Sequence, residues 1–390
     1  MQAGLIVLCL AYVLSQFFRA FLAVLTSVLA RDTGAAPDDL AAASGLWFLT
    51  FAAMQLPVGW ALDRFGPRRT ASVLLLLGGG GGAAIFALAS TPFHIKMAML
   101  LIGVGCSPVL MASYYIFARE YPPARFAILA ALMLGVGSVG NLVASYPLAL
   151  AVELIGWRGS LVGLSAISVA VAAGIFLLVR DPVAVPGGVK GSVLELLKLP
   201  VMWAILPMML VNYAPAAALR GLWIGPYLSD VFGLGTAQVG QATLVMGVAM
   251  IAGTFTYGPL DRLLRTRKWV VFCGNFAAAI ALGLLVAMID KSVVLSVALI
   301  ALIGFLGGSF PVIIAHGRSF FPPHLVGRGV TLMNLFGIGG AGLAQFASGR
   351  IHQQMAPDGA TQAYVAIFGF FGLMLLVGTL AYLFSRDSMD

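Results

Sequence analysis

Twelve stretches of about twenty mostly apolar residues follow one another along this 390-residue chain, each long enough to cross a hydrocarbon layer of about 30 Å as an α-helix. They run at roughly 3–29, 41–62, 70–90, 96–117, 127–152, 159–180, 200–228, 237–258, 269–288, 292–314, 330–351 and 362–384. A lipid-facing backbone has no water to bond, so an open sheet edge is excluded and the fold class is all-α integral membrane. Composition agrees: 61% of residues are hydrophobic, 9% are charged and mean hydropathy is +1.02, whereas a soluble domain is about 25% charged. Soluble enzymes, disordered chains and nucleic-acid binders are excluded together. Residues 1–29 lack the basic start and small-residue cleavage site of a signal peptide, so the first helix is expected to be retained. Cys9, Cys106 and Cys273 lie far apart in apolar stretches, which is neither a disulfide framework nor a zinc spacing.

The formal charge of +8 is explained by topology. With the N-terminus in the cytoplasm, 15 of the 22 Lys and Arg residues fall in cytoplasmic segments, five fall outside, and Arg19 and Arg220 fall inside helices. That is a positive-inside bias of three to one, and it predicts a multi-pass inner-membrane protein with both termini cytoplasmic.

The chain also repeats itself. Leu132, Met133, Gly137 and Gly140 recur as Leu332, Met333, Gly337 and Gly340; Pro122 and Pro123 as Pro322 and Pro323; Leu101-Ile102-Gly103 as Leu302-Ile303-Gly304. Asp63-Arg64 recurs as Asp261-Arg262 and Arg19 as Arg220, all at shifts of 198 to 201. Six helices plus six in the same orientation is a parallel-repeat transporter plan. It predicts a bundle at 1–180, a cytoplasmic linker at 181–199 and a second bundle at 200–390, the two related by a pseudo-two-fold axis.

The loop after the second helix reads Gly59-Trp-Ala-Leu-Asp63-Arg64-Phe-Gly66-Pro-Arg68-Arg69. It resembles the G-x-x-x-D-R-x-G-R-R/K signature of the major facilitator superfamily, with a degraded echo at Gly258-Pro-Leu-Asp261-Arg262. Gly59 is expected to let helices approach, Asp63 to cap or face a helix N-terminus, and Gly66 to permit a tight turn. Arg68 and Arg69 would hold the loop at an anionic leaflet. The resemblance implies that these residues, with Arg119 at the end of the fourth helix and Asp261 and Arg262 in the second half, serve conformational switching. The fifth helix carries Gly135, Gly137 and Gly140 without the Gly-Pro pair of the drug antiporters, which lowers drug efflux.

Ionisable residues inside a membrane are functional candidates by default. Arg19 shares a helical face with Tyr12, Ser15 and Gln16 by spacing. Arg220 stands between Asn212 and Tyr213 on one side and Trp223 and Tyr227 on the other. In the superfamily the first and seventh helices line the central path, so the two arginines are expected to face each other as a clamp for a carboxylate or phosphate. The organophosphate–phosphate antiporters resemble this in carrying one arginine in each of these helices. No Asp or Glu lies mid-helix, and nothing but a substrate or small anion would neutralise the arginines. His94 and His316, near helix ends, are expected in surface or loop roles.

The stretch Phe17-Phe18-Arg19-Ala20-Phe21 and the motif loop also resemble a proteobacterial group of facilitators that includes copper and flavin importers. Met246 and Met250, one turn apart, could offer thioethers to Cu(I); ordinary packing is the simpler reading, and no resident metal is expected. The tyrosines would equally suit a flat ring such as a flavin. A receptor that kept the transporter fold, and an intramembrane enzyme, both lack the sequence features they need. The expectation is a secondary transporter of a small organic anion, not an enzyme, without a cofactor, monomeric, with a small-molecule substrate and the lipid bilayer as its partners and no nucleic acid.

Overall fold

A computed structural model describes residues 2–182, 193–322 and 325–389. The described residues are helical, without strands. The expected linker at 181–199 falls, over 183–192, outside the described residues.

We number the spanning segments α1 to α12. They are α1 (Ala3–Phe17 and Leu22–Thr33), α2 (Pro37–Ala53 and Gln55–Phe65), α3 (Pro67–Ala87) and α4 (Pro92–Glu120). Next comes α5, which starts as Pro123–Val143 and continues after a turn to 155. Segment α6 covers 157–178. The two meet at Gly156, whose φ of 73° breaks an otherwise continuous helical stretch. The second set is α7 (Met202–Phe232), α8 (Thr236–Leu264), α9 (Lys268–Ala287), α10 (Val293–Arg318), α11 (Arg328–Asp358) and α12 (Ala360–Tyr382). These coincide with the twelve apolar stretches of the sequence, most of them a few residues longer.

The described chain forms two compact units, one of residues 2–182 with Thr236–Gln241 and the other of the remainder. Within the first, α1 packs on α5 and α6, α2 on α4, and α3 on α4 and α6; within the second, α7 packs on α11 and α12, and α9 on α10 and α12. The duplicated glycines are where these pairings become close. A Cβ placed on Gly140 of α5 would lie 2.0 Å from the Val13 carbonyl oxygen of α1, and one on Gly340 of α11 would lie 1.9 Å from that of Leu210 in α7. The same relation joins α4 to α2, where Gly103 meets the Trp47 carbonyl at 2.5 Å, and α8 to α10, where Gly253 meets that of Phe305 at 2.1 Å. Lipid gives no hydrophobic drive between helices, so such backbone contact is a main source of packing energy.

Two segments are sharply bent and α7 is broken, each for an identifiable reason. Pro57 has no N–H for the Ala53 carbonyl, and α2 bends by 44° at Met54. Pro215 likewise leaves the Val211 carbonyl without its helical donor, and α7 breaks at Tyr213. Segment α1 bends by 55° without proline. There its hydrogen bonds tighten to three-residue spacing, from Arg19 N–H to the Gln16 carbonyl (3.3 Å) and from Ala20 N–H to that of Phe17 (3.0 Å).

Gly340→Ala should therefore lower the thermal unfolding temperature in detergent, by the equivalent of about 1–3 kcal/mol of overpacking. Gly339→Ala, where a Cβ meets nothing within 4 Å, should be neutral or slightly stabilising; equal behaviour of the two variants would refute the contact.

Candidate functional site

Both intrahelical arginines sit where the first helix of their unit departs from regular α-geometry. Arg220 lies in a five-residue π-helical turn, Leu219–Trp223, between Pro215 and Pro226, each of which removes a backbone donor. Such turns are frequent at functional sites. Its side chain is 3% exposed. One Nη donates to the Tyr213 hydroxyl at 3.0 Å, the other lies 3.9 Å from the Met250 sulfur, and Nε has no partner. Arg19 occupies the bend of α1 itself. Its guanidinium lies over the rings of Trp47 (5.2 Å) and Phe51 (4.8 Å), which are stacked on each other at 5.1 Å. Its Nε is also buried without a partner. Among the described residues neither arginine has an acidic partner. Ring contact occupies the faces of a guanidinium and leaves its N–H edge available to a carboxylate or phosphate.

The other residues expected around the arginines divide. Tyr213 joins Arg220. Asn212 instead donates to Asn275 (2.7 Å) and Ser309 (2.9 Å), tying α7 to α9 and α10. Trp223 donates to Ser348 (2.9 Å) and packs on His352. Tyr227 bonds the Ile289 carbonyl and Ser296. Tyr12 packs on Gly137, whose Cβ would meet its ring at 2.2 Å, while the Gln16 Oε1 is buried without a partner. Arg19 itself lies just past the end of the regular α-helix, which stops at Phe17. Met246 and Met250 both pack against Gly304.

In the motif loop, Gly66 has the expected positive φ, 82°. Asp63, however, is exposed and lies 3.6 Å from Arg119. The helix N-terminus belongs to a residue the sequence reading missed: Asp181 accepts the Arg68 backbone N–H at 2.8 Å, and a Cβ on Gly66 would collide with its carboxylate. Gly59 faces open space rather than a helix. Arg68 lies over Phe176, and Arg69 is exposed. The second unit repeats the arrangement. Asp387 accepts N–H bonds from Arg267 (3.1 Å) and Lys268 (3.0 Å) and the Thr266 hydroxyl, at the start of α9. Asp261 is buried and pairs with Arg267 at 3.2 Å, and Arg262 is exposed. The recurrence of Arg180-Asp181 as Arg386-Asp387 was the available sequence signal. His316 is fully buried rather than superficial, bonding Tyr382 (2.5 Å) and the Arg386 carbonyl (2.8 Å). Among the described residues no group of three His, Cys, Asp or Glu could hold a metal ion.

The family model of the Major Facilitator Superfamily matches residues 8–344. The chain belongs to the major facilitator superfamily. As a member it is a multi-pass membrane transporter and not an enzyme. Solved structures share the fold at low identity. The D-xylose-proton symporter has a TM-score of 0.75 at 16% identity, covering 98% of each chain. The nucleoside transporter NupG scores 0.74 at 14%, again over 98% of each. The bacterial homolog of the human lysosomal transporter Spinster scores 0.71 at 17%, covering 97% of this chain and 95% of that one. In sequence, the 4-hydroxybenzoate transporter PcaK of Acinetobacter baylyi is 26% identical over 183 residues, 46% of this chain. The chain spans about two fifths of that relative's length, 39%.

The Asp387 cap of this superfamily member titrates. Burial alone pushes the Asp387 carboxyl up, but bonds from Thr266 and the Lys268 and Arg267 N–H groups outweigh it, so it ionises below the usual carboxylate value. A lowered folded value means stabilisation fully present above the unfolded value of about 3.9 and lost as pH falls through the folded one. Asp387→Asn should thus lower the unfolding temperature at pH 6, and the difference from the parent protein should shrink as the pH is taken below the usual carboxylate value. A difference independent of pH would exclude the ionised cap.

Proposed function

We propose that this facilitator moves a small organic anion across the inner membrane by alternating access, as uptake or exchange, with Arg19 and Arg220 as the groups that compensate the solute's charge. The observation that carries this reading is Arg220: a guanidinium within a spanning helix, 3% exposed, held by one hydroxyl and one thioether, with no acidic partner among the described residues. A buried cation is costly unless something neutralises it. Arg19, at the corresponding position of the other repeat, adds a second cation whose Nε is buried without a partner among the described residues. The 4-hydroxybenzoate named for the Acinetobacter relative is a solute of this class, an aromatic carboxylate. We take Tyr213 as the residue that orients Arg220, and Tyr12, Gln16, Asn212 and Trp223 as the frame around the two arginines.

The methionine pair does not favour copper as cargo. Met250 stands against a guanidinium, which repels Cu(I), and both thioethers fill the surface of Gly304. Of the tyrosines that would suit a flavin, Tyr12 is spent on packing against Gly137 and Tyr227 on interhelix bonds.

The motif loops are proposed to bias the two access states through contacts such as Arg119–Asp63, worth about 0.3–1 kcal/mol each at exposed positions. Asp63, Arg64, Gly66, Arg68, Arg69, Asp261 and Arg262 belong to this machinery. A monomer with both termini cytoplasmic completes the proposal. Reporter fusions after Lys198 and after Arg386 should both read cytoplasmic; opposite sides would refute that topology.

The charge reading is tested with purified protein in proteoliposomes, using benzoate-class and phosphate-ester anions alongside neutral and cationic solutes. Arg220→Ala should weaken anion binding by about 2–5 kcal/mol, the range for a buried charged contact that loses one partner. Arg220→Lys should not restore it, because lysine lacks the planar fork. Unchanged anion binding in the Arg19→Ala, Arg220→Ala double variant would overturn the proposal, as would copper transport lost in Met250→Leu.

A further inference from the structure

We propose that the first unit carries a binding site for one anionic phospholipid, in the groove between the second half of α2 and the start of α3. This inference is independent of the anion-transport reading.

The groove has a volume of about 410 Å³ and is walled by Met54, Pro57, Trp60, Phe65, Val73 and Arg69. Its origin is the 44° bend of α2 at Met54, imposed by Pro57. The bend sets the helix that runs down to Gly66 at an angle to the bundle and opens a wedge beside α3. Trp60, Phe65 and Val73 are exposed in the protein, and a membrane protein covers such a face with hydrocarbon.

Length and charge choose the occupant. From Met54 to Phe65 is eleven residues, about 16 Å of helix at 1.5 Å per residue. Half of a hydrocarbon core of about 30 Å is about 15 Å. The groove therefore spans one leaflet, from its midplane to the headgroup level, which is the reach of one acyl chain. Its polar groups lie at the headgroup end. Thr70 is consumed by the Ala61 carbonyl at 3.1 Å. Arg69 has no acidic partner among the described residues. The nearby carboxylates are taken: Asp63 stands against Arg119 at 3.6 Å and Asp181 caps the Arg68 N–H. Arg64, which precedes Phe65 and is exposed outside the groove's wall, adds a second positive charge with no acidic partner among the described residues. A phosphodiester on Arg69 with its acyl chain between Trp60 and Val73 satisfies both ends. Two arginines that have no acidic partner among the described residues favour a headgroup of net negative charge over a zwitterionic one.

The test is native mass spectrometry of the detergent-purified full chain, titrated with phosphatidylglycerol, with phosphatidylethanolamine of the same acyl chains, and with glycerol 3-phosphate as a headgroup without chains. One phosphatidylglycerol should bind at least tenfold more tightly than phosphatidylethanolamine. Arg69→Ala should weaken it about tenfold, and Val73→Trp should weaken it as much by filling the groove while Arg69 is intact. Glycerol 3-phosphate should not compete. Both positions are exposed, so the variants should keep the parent unfolding temperature; if Val73→Trp does not fold, Val73→Phe takes its place. Equal affinity for the two lipids overturns the site. So does unchanged affinity in either the Arg69 or the Val73 variant, and so does displacement by glycerol 3-phosphate.

Discussion

Inside a bilayer every backbone N–H and carbonyl must find its partner within the protein, and each one left without costs several kcal/mol. An unbroken helix meets that demand, so an interrupted helix in this setting calls for a reason. In this chain α1 and α7, the first helices of the two units, are interrupted, and each interruption carries the arginine of its repeat. The breaks are built differently. The bend of α1 relies on three-residue hydrogen bonds around Arg19, while α7 relies on Pro215 and Pro226 with a π-helical turn between them. Different local means thus place the same side chain at corresponding positions of the two repeats.

The arginine surroundings depend in turn on how closely backbones approach. Trp47 and Phe51, the shelf beneath Arg19, are on α2. That part of α2 is held on α4 by Gly103 and by the Thr50 hydroxyl, which reaches the Leu100 carbonyl at 3.2 Å. Tyr12 is seated on Gly137, which fixes α1 on α5 just before the bend. In the second unit the buried triplet Asn212, Asn275 and Ser309 ties three helices together at the residue before Tyr213. These polar bonds are interhelical glue, worth about 0.6–2 kcal/mol each in a membrane. They explain why Asn212 is near Arg220 in sequence without facing the same task.

The two aspartates at the ends of the sixth and twelfth helices show how the duplicated loops are anchored. Each returns to the N-terminus of the third helix of its own unit, where unbonded N–H groups and the helix dipole favour a carboxylate. The loop motif is thereby fixed to the far end of its bundle, and Asp63 is left exposed beside Arg119 rather than used as a cap. An exposed pair at 3.6 Å contributes little to stability, about 0–1 kcal/mol.

Much of this was legible in the chain. Hydrophobic length determined an all-helical membrane protein of twelve segments, because no other structure satisfies its backbone in lipid. The shift of about 200 residues between matching motifs determined the duplication, and the Gly59–Arg69 loop pointed to the superfamily. Arg19 and Arg220 stood out because charge is rare in such helices. Tertiary structure alone decided which side chains meet. Periodicity reports neighbours three or four residues away, whereas the partners that matter lie 63 residues off for Asn212, 113 for the Arg68 N–H and 125 for Trp223. Local pattern could not foresee that Asp181 rather than Asp63 would cap a helix, that Gly59 would face open space, or that His316 would be buried under the C-terminal tail. Each of those outcomes is set by where another helix of the bundle ends, and helix packing rather than sequence spacing fixes that.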